Sequence, residues 1–237
     1  MQMDIIQKLE NGLIVSCQAL EGEPLHSSFI MAKMAKAAEI GGAVAIRANG
    51  YEDIIAIKKE VSIPVIGLMK KRYEGYAPYI TPTMEEVDKV IEAGADIVAI
   101  DATKAYKPGG LTTGEFLKRI KEKYPKILVM ADISTYEEGI EAEKLCFDLI
   151  STTLSGYTEY SPELEGPDYE LIERLARKVN VPIIAEGRIW TPEEAVKALE
   201  KGAYAVVVGT AITRPHEITK RFVTFIKERR YSNARAK

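Results

Sequence analysis

Histidine and cysteine are nearly missing from this chain, which has two of each among 237 residues. The cysteines, Cys17 and Cys146, lie 129 residues apart inside apolar stretches, a placement that suits buried thiols rather than a disulfide framework or a zinc site. The histidines, His26 and His216, form no HxxxH pair, and there is no CxxC, so no protein-built transition-metal site is expected. Acid–base chemistry then falls to carboxylates, lysines and tyrosines. No apolar run approaches the roughly 18 residues of a membrane span, and no charged-then-apolar leader opens the sequence. A cytoplasmic protein without membrane contact is expected. An excess of one charge is also lacking: 32 Lys and Arg against 35 Asp and Glu leave −3, with a pI near 5.7. The basic runs at 70–72 and 229–237 are too short to track a phosphate backbone, so nucleic acid is not expected as a partner.

What is present is alternation. Short, almost wholly apolar runs at 13–17, 43–46, 65–69, 97–100, 127–131, 149–152, 183–185 and 205–208 predict eight strands. Amphipathic stretches separate them, among them 84–93, 113–123, 169–178 and 192–201, with Lys and Glu on one side and Val, Ile, Leu and Ala on the other. Strands apolar on both faces belong in a sheet covered by packed layers. Three joints share a Gly-Ala step, Gly42-Ala43, Gly94-Ala95 and Gly202-Ala203, where a glycine can stop a helix and turn the chain into the next strand. The phrase Val61-Ser-Ile-Pro-Val-Ile66 returns 118 residues later as Val179-Asn-Val-Pro-Ile-Ile184, four βα units on. Eight units with a half-chain repeat predict an α/β fold, a (β/α)8 TIM barrel, whose usual size is about 250 residues. An open doubly wound sheet is the competing architecture, and no GxGxxG follows the first strand to support it. One barrel domain over 1–237 is expected, with 231–237 a frayed tail.

Barrel enzymes place their chemistry at the C-terminal ends of the strands. The residues just past each run are Gln18, Arg47, Lys70, Asp101, Asp132, Thr152-Thr153, Glu186-Gly187-Arg188 and Gly209-Thr210. Polar residues also end strands simply because the chain leaves the core, and Lys70 opens a charge run that could be a solvated loop. Eight polar or glycine ends on one side nevertheless describe a polar mouth. The loops after strands seven and eight are the usual phosphate site of this fold, and Gly187, Arg188, Gly209, Thr210 and Arg214 offer backbone N–H groups and cations there. Strands three and seven stand opposite in an eight-membered ring, so Lys70 and Glu186 should face each other. A neutral lysine and a protonated glutamic acid on opposite faces of a carbon beside a carbonyl have the geometry for epimerisation. The lysine needs its pKa lowered by burial or by cations such as Arg47, and the glutamate needs its own raised by burial.

These residues sit in stretches that resemble the N-acetylmannosamine-6-phosphate 2-epimerase family of sialic acid catabolism: GLIVSCQAL (12–20), GGAVAIRANG (41–50), GLMK (67–70), ITPT (80–83), MADIST (130–135), LSGYT (154–158), EGRI (186–189) followed by Thr191-Pro192, and GTAITRP (209–215). They run in order through nearly the whole chain. The resemblance implies a (β/α)8 barrel, usually homodimeric, that interconverts N-acetylmannosamine 6-phosphate and N-acetylglucosamine 6-phosphate without a metal or nicotinamide cofactor. It makes Lys70 and Glu186 the catalytic pair. Gln18, Arg47 and Asp132 fall where the family holds the sugar and its acetamido group, and Thr153 is expected beside them. Arg188, Gly209, Thr210 and Arg214 fall where the phosphate is bound, with Gly187 adjoining. Two positions depart from the pattern: Arg72 stands where the family often has an acidic residue, and Lys107 where it usually has arginine. A Schiff-base aldolase using Lys70, a silent phosphosugar-binding barrel, and a ribose-phosphate isomerase or decarboxylase barrel are the rival readings.

Overall fold

The computed structural model describes the backbone from residue 2 to residue 235 and side chains from 4 to 229. Eight parallel strands close into a barrel in chain order: β1 (Leu13–Cys17), β2 (Ala45–Asn49), β3 (Val65–Leu68), β4 (Ile97–Asp101), β5 (Leu128–Asp132), β6 (Leu149–Ser151), β7 (Ile183–Glu186) and β8 (Ala205–Val208). The ring shuts where β1 pairs with β8, in register Ile14 to Val207. Helix α1 (Gln2–Leu9) precedes β1, and α2 (Ser28–Ile40), α3 (Tyr51–Glu60), α4 (Met84–Glu92), α5 (Thr113–Lys123), α6 (Tyr136–Lys144), α7 (Tyr169–Ala176) and α8 (Pro192–Glu200) connect the strands. After β8 come the single turn α9 (Thr210–Thr213) and α10 (Pro215–Arg235). The fold is a TIM barrel.

Strand residues alternate between the barrel axis and the helix layer. Ile14, Ala45, Ile66, Ile97, Leu128, Leu149, Ile184 and Ala205 fill the axis. Their outward neighbours, such as Val15, Ile46, Val98, Val129 and Ile150, pack under the helices. Gly67 shows how tight that outer layer is, since a Cβ there would lie 2.6 Å from the Ala95 Cβ and 2.7 Å from Val90. At the strands' N-terminal end α1 stoppers the barrel with Leu9, wholly buried, while Ile5 and Ile6 pack against the axis core. Helices α4, α5, α6 and α8 each start in a capping box, Thr83/Glu86, Thr112/Glu115, Thr135/Glu138 and Thr191/Glu194, which satisfies otherwise orphaned N–H groups. The three Gly-Ala joints hold Gly42, Gly94 and Gly202 at φ of 97°, 93° and 96°.

Some details differ from expectation. β2 starts at Ala45 rather than 43, because Ala43 N–H still closes the turn on Ala38 O and Val44 N–H only reaches Leu13 O. Cys17 is buried, but Cys146 is exposed: it carries the left-handed turn after α6 at φ 63°, which swings its side chain out of the core. Both thiols are free. The expected tail 231–237 is helical in its backbone as far as Arg235, and its side chains and last two residues lie outside the described ones. No helix among the described residues is long and apolar enough to cross a membrane.

Candidate active site

Two-residue periodicity explains why the strand ends converge. Going up β3, Ile66 and Leu68 face the axis, so Lys70 does too; going up β7, Ile184 puts Glu186 inward. The same parity carries Arg47 above Ala45, Thr153 above Leu149 and Ser151, and Gly209 above Val207. Together with Gln18 they line a cavity of about 390 Å³ at the C-terminal mouth, whose wall also includes Tyr79, Gly187, Arg188, Thr210 and Arg214. Among the described residues, no group of three or more His, Cys, Asp or Glu side chains is arranged to hold a metal ion.

The floor is a buried charge network. Arg47, 1% exposed, donates from Nη1 to Asp132 Oδ1 at 3.1 Å and from Nη2 to Asp132 Oδ2 at 2.5 Å, and its Nη1 also stands 3.1 Å from Glu186 Oε2. Burial works against the Arg47 charge, but Asp132 and then Glu186 more than offset it, so its pKa is raised and the guanidinium stays ionised. Thr153 Oγ1 lies 2.7 Å from Asp132 Oδ1, 3.1 Å from Glu186 Oε2 and 2.8 Å from Ser151 Oγ. One hydroxyl has one proton and cannot donate to both carboxylates at once. A protonated Glu186 removes the conflict by becoming the donor itself. Its pKa is indeed raised, first by burial and then by the like charge of Asp132, against the opposing pull of Arg47.

Lys70 is pushed the other way. Burial lowers its pKa from 10.5 to about 8, helped by Arg47 and Arg214 and opposed by Glu186. Its backbone N–H donates to Asn49 Oδ1 at 2.8 Å, which ties the lysine to the end of β2. Gln18 donates from Nε2 to Ser16 Oγ at 2.9 Å, while its Oε1 is buried without a partner, an acceptor left for something in the cavity.

Two arginines, Arg188 and Arg214, also stand on the cavity wall. Gly187 and Arg188 follow one another at φ of 116° and 57°, a bend that the chain takes as it leaves β7. Arg214 reaches Glu23 Oε1 at 2.8 Å across the loop after β1. Because α9 is a single turn, its dipole adds little, and the positive charge here is that of the Arg188 and Arg214 guanidinium groups.

Two expected site residues are placed differently from the others. Asp132 is wholly buried beneath Arg47 and Thr153 and does not line the cavity, so it is connected to the cavity only through those neighbours. Arg188 lines the cavity, but Nε donates to Gly166 O at 2.8 Å and Nη1 to Ser155 O at 2.6 Å, and the guanidinium lies 5.6 Å from the Tyr157 ring. Much of its donor capacity thus fastens the loop between β6 and α7. Sequence reasoning missed Tyr79, Tyr157 and Trp190, which also line the cavity. They come from loops, where no periodicity marks an inward residue.

A family model described as "Putative N-acetylmannosamine-6-phosphate epimerase" matches residues 31–228. The chain belongs to the N-acetylmannosamine-6-phosphate epimerase family. A relative from Caldanaerobacter subterraneus subsp. tengcongensis, called a "Putative N-acetylmannosamine-6-phosphate 2-epimerase", is 98% identical over 237 residues, the full length of both chains. One of the same name from Clostridium perfringens is 54% identical over 223 residues, covering 94% of this chain and 100% of that one. Among solved structures, the N-acetylmannosamine-6-phosphate 2-epimerase from Clostridium perfringens superposes with a TM-score of 0.90 at 53% identity, over 93% of this chain and 96% of that one. A thiamine phosphate pyrophosphorylase from Pyrococcus furiosus, with a TM-score of 0.59 at 19% identity over 88% of this chain and 89% of its own, shares the barrel fold alone. The epimerase family is therefore reached independently of the cavity, and the cavity can be judged against its chemistry.

Proposed function

We propose that the protein is an N-acetylmannosamine-6-phosphate 2-epimerase, an isomerase that interconverts N-acetylmannosamine 6-phosphate and N-acetylglucosamine 6-phosphate in sialic acid breakdown. The observation that carries this reading is a lysine of lowered pKa and a glutamate of raised pKa lining one cavity from opposite strands, β3 and β7. In the open-chain sugar the C2–H lies beside the C1 aldehyde. Neutral Lys70 takes the C2 proton, the C–H electron pair moves into a C1–C2 double bond, and the carbonyl oxygen takes up the negative charge. Protonated Glu186 returns a proton to the opposite face of C2, and the charge on oxygen collapses back to the aldehyde. In the reverse direction the roles exchange: ionised Glu186 is the base and the Lys70 ammonium the acid. Each electron pair and proton is accounted for by these two side chains, and no cofactor takes part in the sequence of steps.

Gln18, Arg47 and Thr153 are then the residues that orient the sugar, with Asp132 holding Arg47 from below. Gly187, Arg188, Gly209, Thr210 and Arg214 form the phosphate end. A phosphorylated sugar does not cross a membrane unaided, which agrees with a cytoplasmic barrel of one domain. The test is proton NMR in heavy water with N-acetylmannosamine 6-phosphate. N-acetylglucosamine 6-phosphate carrying deuterium at C2 is the expected product; an unchanged sugar would refute the reading.

The same reading includes a homodimer. Helix α10 presents Phe222, Val223, Phe225 and Ile226 at 66%, 43%, 58% and 55% exposure, an apolar load that a solvated helix does not carry for its own sake. A second copy of the chain is the partner that covers it. Sedimentation should give a dimer for the unmodified protein and a monomer for Phe222→Glu combined with Phe225→Glu; a monomer before substitution would rule this out.

A further inference from the structure

We propose that Tyr79 is a further catalytic residue, whose phenol donates a hydrogen bond to the substrate oxygen that becomes negative when C2 loses its proton. This rests on the epimerase reading and adds a group to it. The reaction needs a donor for that oxygen, because a C2–H beside an unpolarised carbonyl is far too weak an acid for Lys70. Arg47 serves the carboxylates first. Its Nη1 is shared between Asp132 Oδ1 and Glu186 Oε2, its Nη2 donates to Asp132 Oδ2, and its Nε is buried without a partner, so a second, neutral donor on the cavity wall is called for beside it. Lys70 and Glu186 are the proton carriers, and of the neutral donors on the cavity wall Tyr79 is the one that the pairing of Lys70 with Ile80 brings next to the lysine.

The phenol is neither loose nor already spent. Among the described residues its hydroxyl engages no protein acceptor, although the rest of the residue is fixed on every side. Its carbonyl accepts from Lys71 N–H at 2.9 Å, its N–H reaches Asp101 Oδ2 at 3.3 Å, and the Arg72 guanidinium lies 4.9 Å from its ring. The loop after β3 folds back so that Lys70 and Ile80 pair antiparallel, which sets Tyr79 beside the catalytic lysine. Thr81 locks this return in a backbone conformation that β-branched residues rarely adopt, φ 47°. Its N–H donates to Met69 O at 2.8 Å, its Oγ1 accepts from Met69 N–H at 3.1 Å, and the same hydroxyl donates to Ala99 O at 2.7 Å. Strain held by three hydrogen bonds next to a reacting group is the pattern of a preorganised site. Asp132, Asp101, Arg72 and Arg47 are the charges around the phenol. Burial, then Asp132 and Asp101, push its pKa up to about 12, so it keeps its proton throughout the working range.

Tyr79→Phe removes one oxygen and keeps the ring that packs against Ile80 and the axis core. The expected result is a kcat lower by about 10²–10³-fold, with KM changed by less than about threefold and Tm within about 2 °C. A C2-deuterated substrate should also show an isotope effect at least as large as in the parent, because proton abstraction has become slower. A kcat within threefold of the parent, or a loss of kcat matched by a comparable fall in Tm, would overturn the assignment. If the parent itself leaves N-acetylmannosamine 6-phosphate unchanged, the epimerase reading fails and this inference with it. A parent that turns over while Tyr79→Phe equals it removes Tyr79 alone.

Discussion

Lys70→Met is expected to abolish turnover, by about four orders of magnitude, while the barrel remains folded with a Tm at or above that of the unmodified chain. The two halves of this expectation have one cause. The ammonium of Lys70 is poorly solvated, so burial lowers its pKa from 10.5 to about 8. Between those values an unfolded chain carries a proton that the folded chain lacks, so stability rises with pH across that window. At neutral pH the buried charge costs stability, and methionine, similar in length and uncharged, relieves it. Circular dichroism melting at pH 7 beside an assay for the 2-epimer checks both halves. Activity within tenfold of the parent would remove Lys70 from the proton path.

With Lys70 and Glu186 as the proton carriers, the same pair is expected to set the pH dependence of kcat/KM. Both the Lys70-neutral, Glu186-protonated form and the Lys70-ammonium, Glu186-carboxylate form hold one proton between the two residues, and each is competent in one direction. Below the Glu186 pKa both groups are protonated and no base remains; above that of Lys70 both are deprotonated and no acid remains. The profile should therefore be bell-shaped, with its alkaline limb near 8 and its acid limb above the ordinary carboxylate value of 4.5. The limbs belong to the pair, and a flat profile from pH 4 to pH 10 would contradict shared-proton chemistry.

How much of this was legible beforehand follows from geometry. An apolar strand buried on both faces announces itself by composition, and its period of two then fixes which of the following residues points inward. Lys70, Arg47, Thr153 and Glu186 could be read for that reason, each lying an even number of steps above a residue on the barrel axis. Tyr79 could not, because it reaches the cavity through the return of a loop, and nothing in KRYEGYAPYI marks the antiparallel pairing of Lys70 with Ile80. Arg188 shows the opposite limit. Its position at the mouth was clear, but its commitment to the carbonyls of Ser155 and Gly166 depends on a loop that arrives from 22 to 33 residues earlier in the chain. The depth of Asp132 was hidden for a similar reason: strand parity says inward, and only the presence of Arg47 above it decides whether inward means exposed to substrate or covered.

That covered pair predicts a large loss of stability. Arg47→Met should lower stability by about 3–5 kcal/mol, a drop in Tm of roughly 10 °C for a chain of this length. The guanidinium is 1% exposed and its partner Asp132 wholly buried, so removing the cation leaves a carboxylate in the interior with only the Thr153 hydroxyl at 2.7 Å to compensate. Asp132 and Glu186 would then repel without a positive charge between them. Asp132→Asn combined with Arg47→Met removes both charges and should recover a large part of the lost stability, which separates an unpaired buried charge from simple loss of packing. Activity should not recover with it. Arg47 lowers the Lys70 pKa as well as balancing the carboxylates, so in the double variant any residual activity should have its alkaline limb above 8. Chemical denaturation of the two variants, together with the pH profile of the more stable one, tests the argument. A single variant as stable as the parent would show that the Arg47–Asp132 pair does not hold the floor of the site.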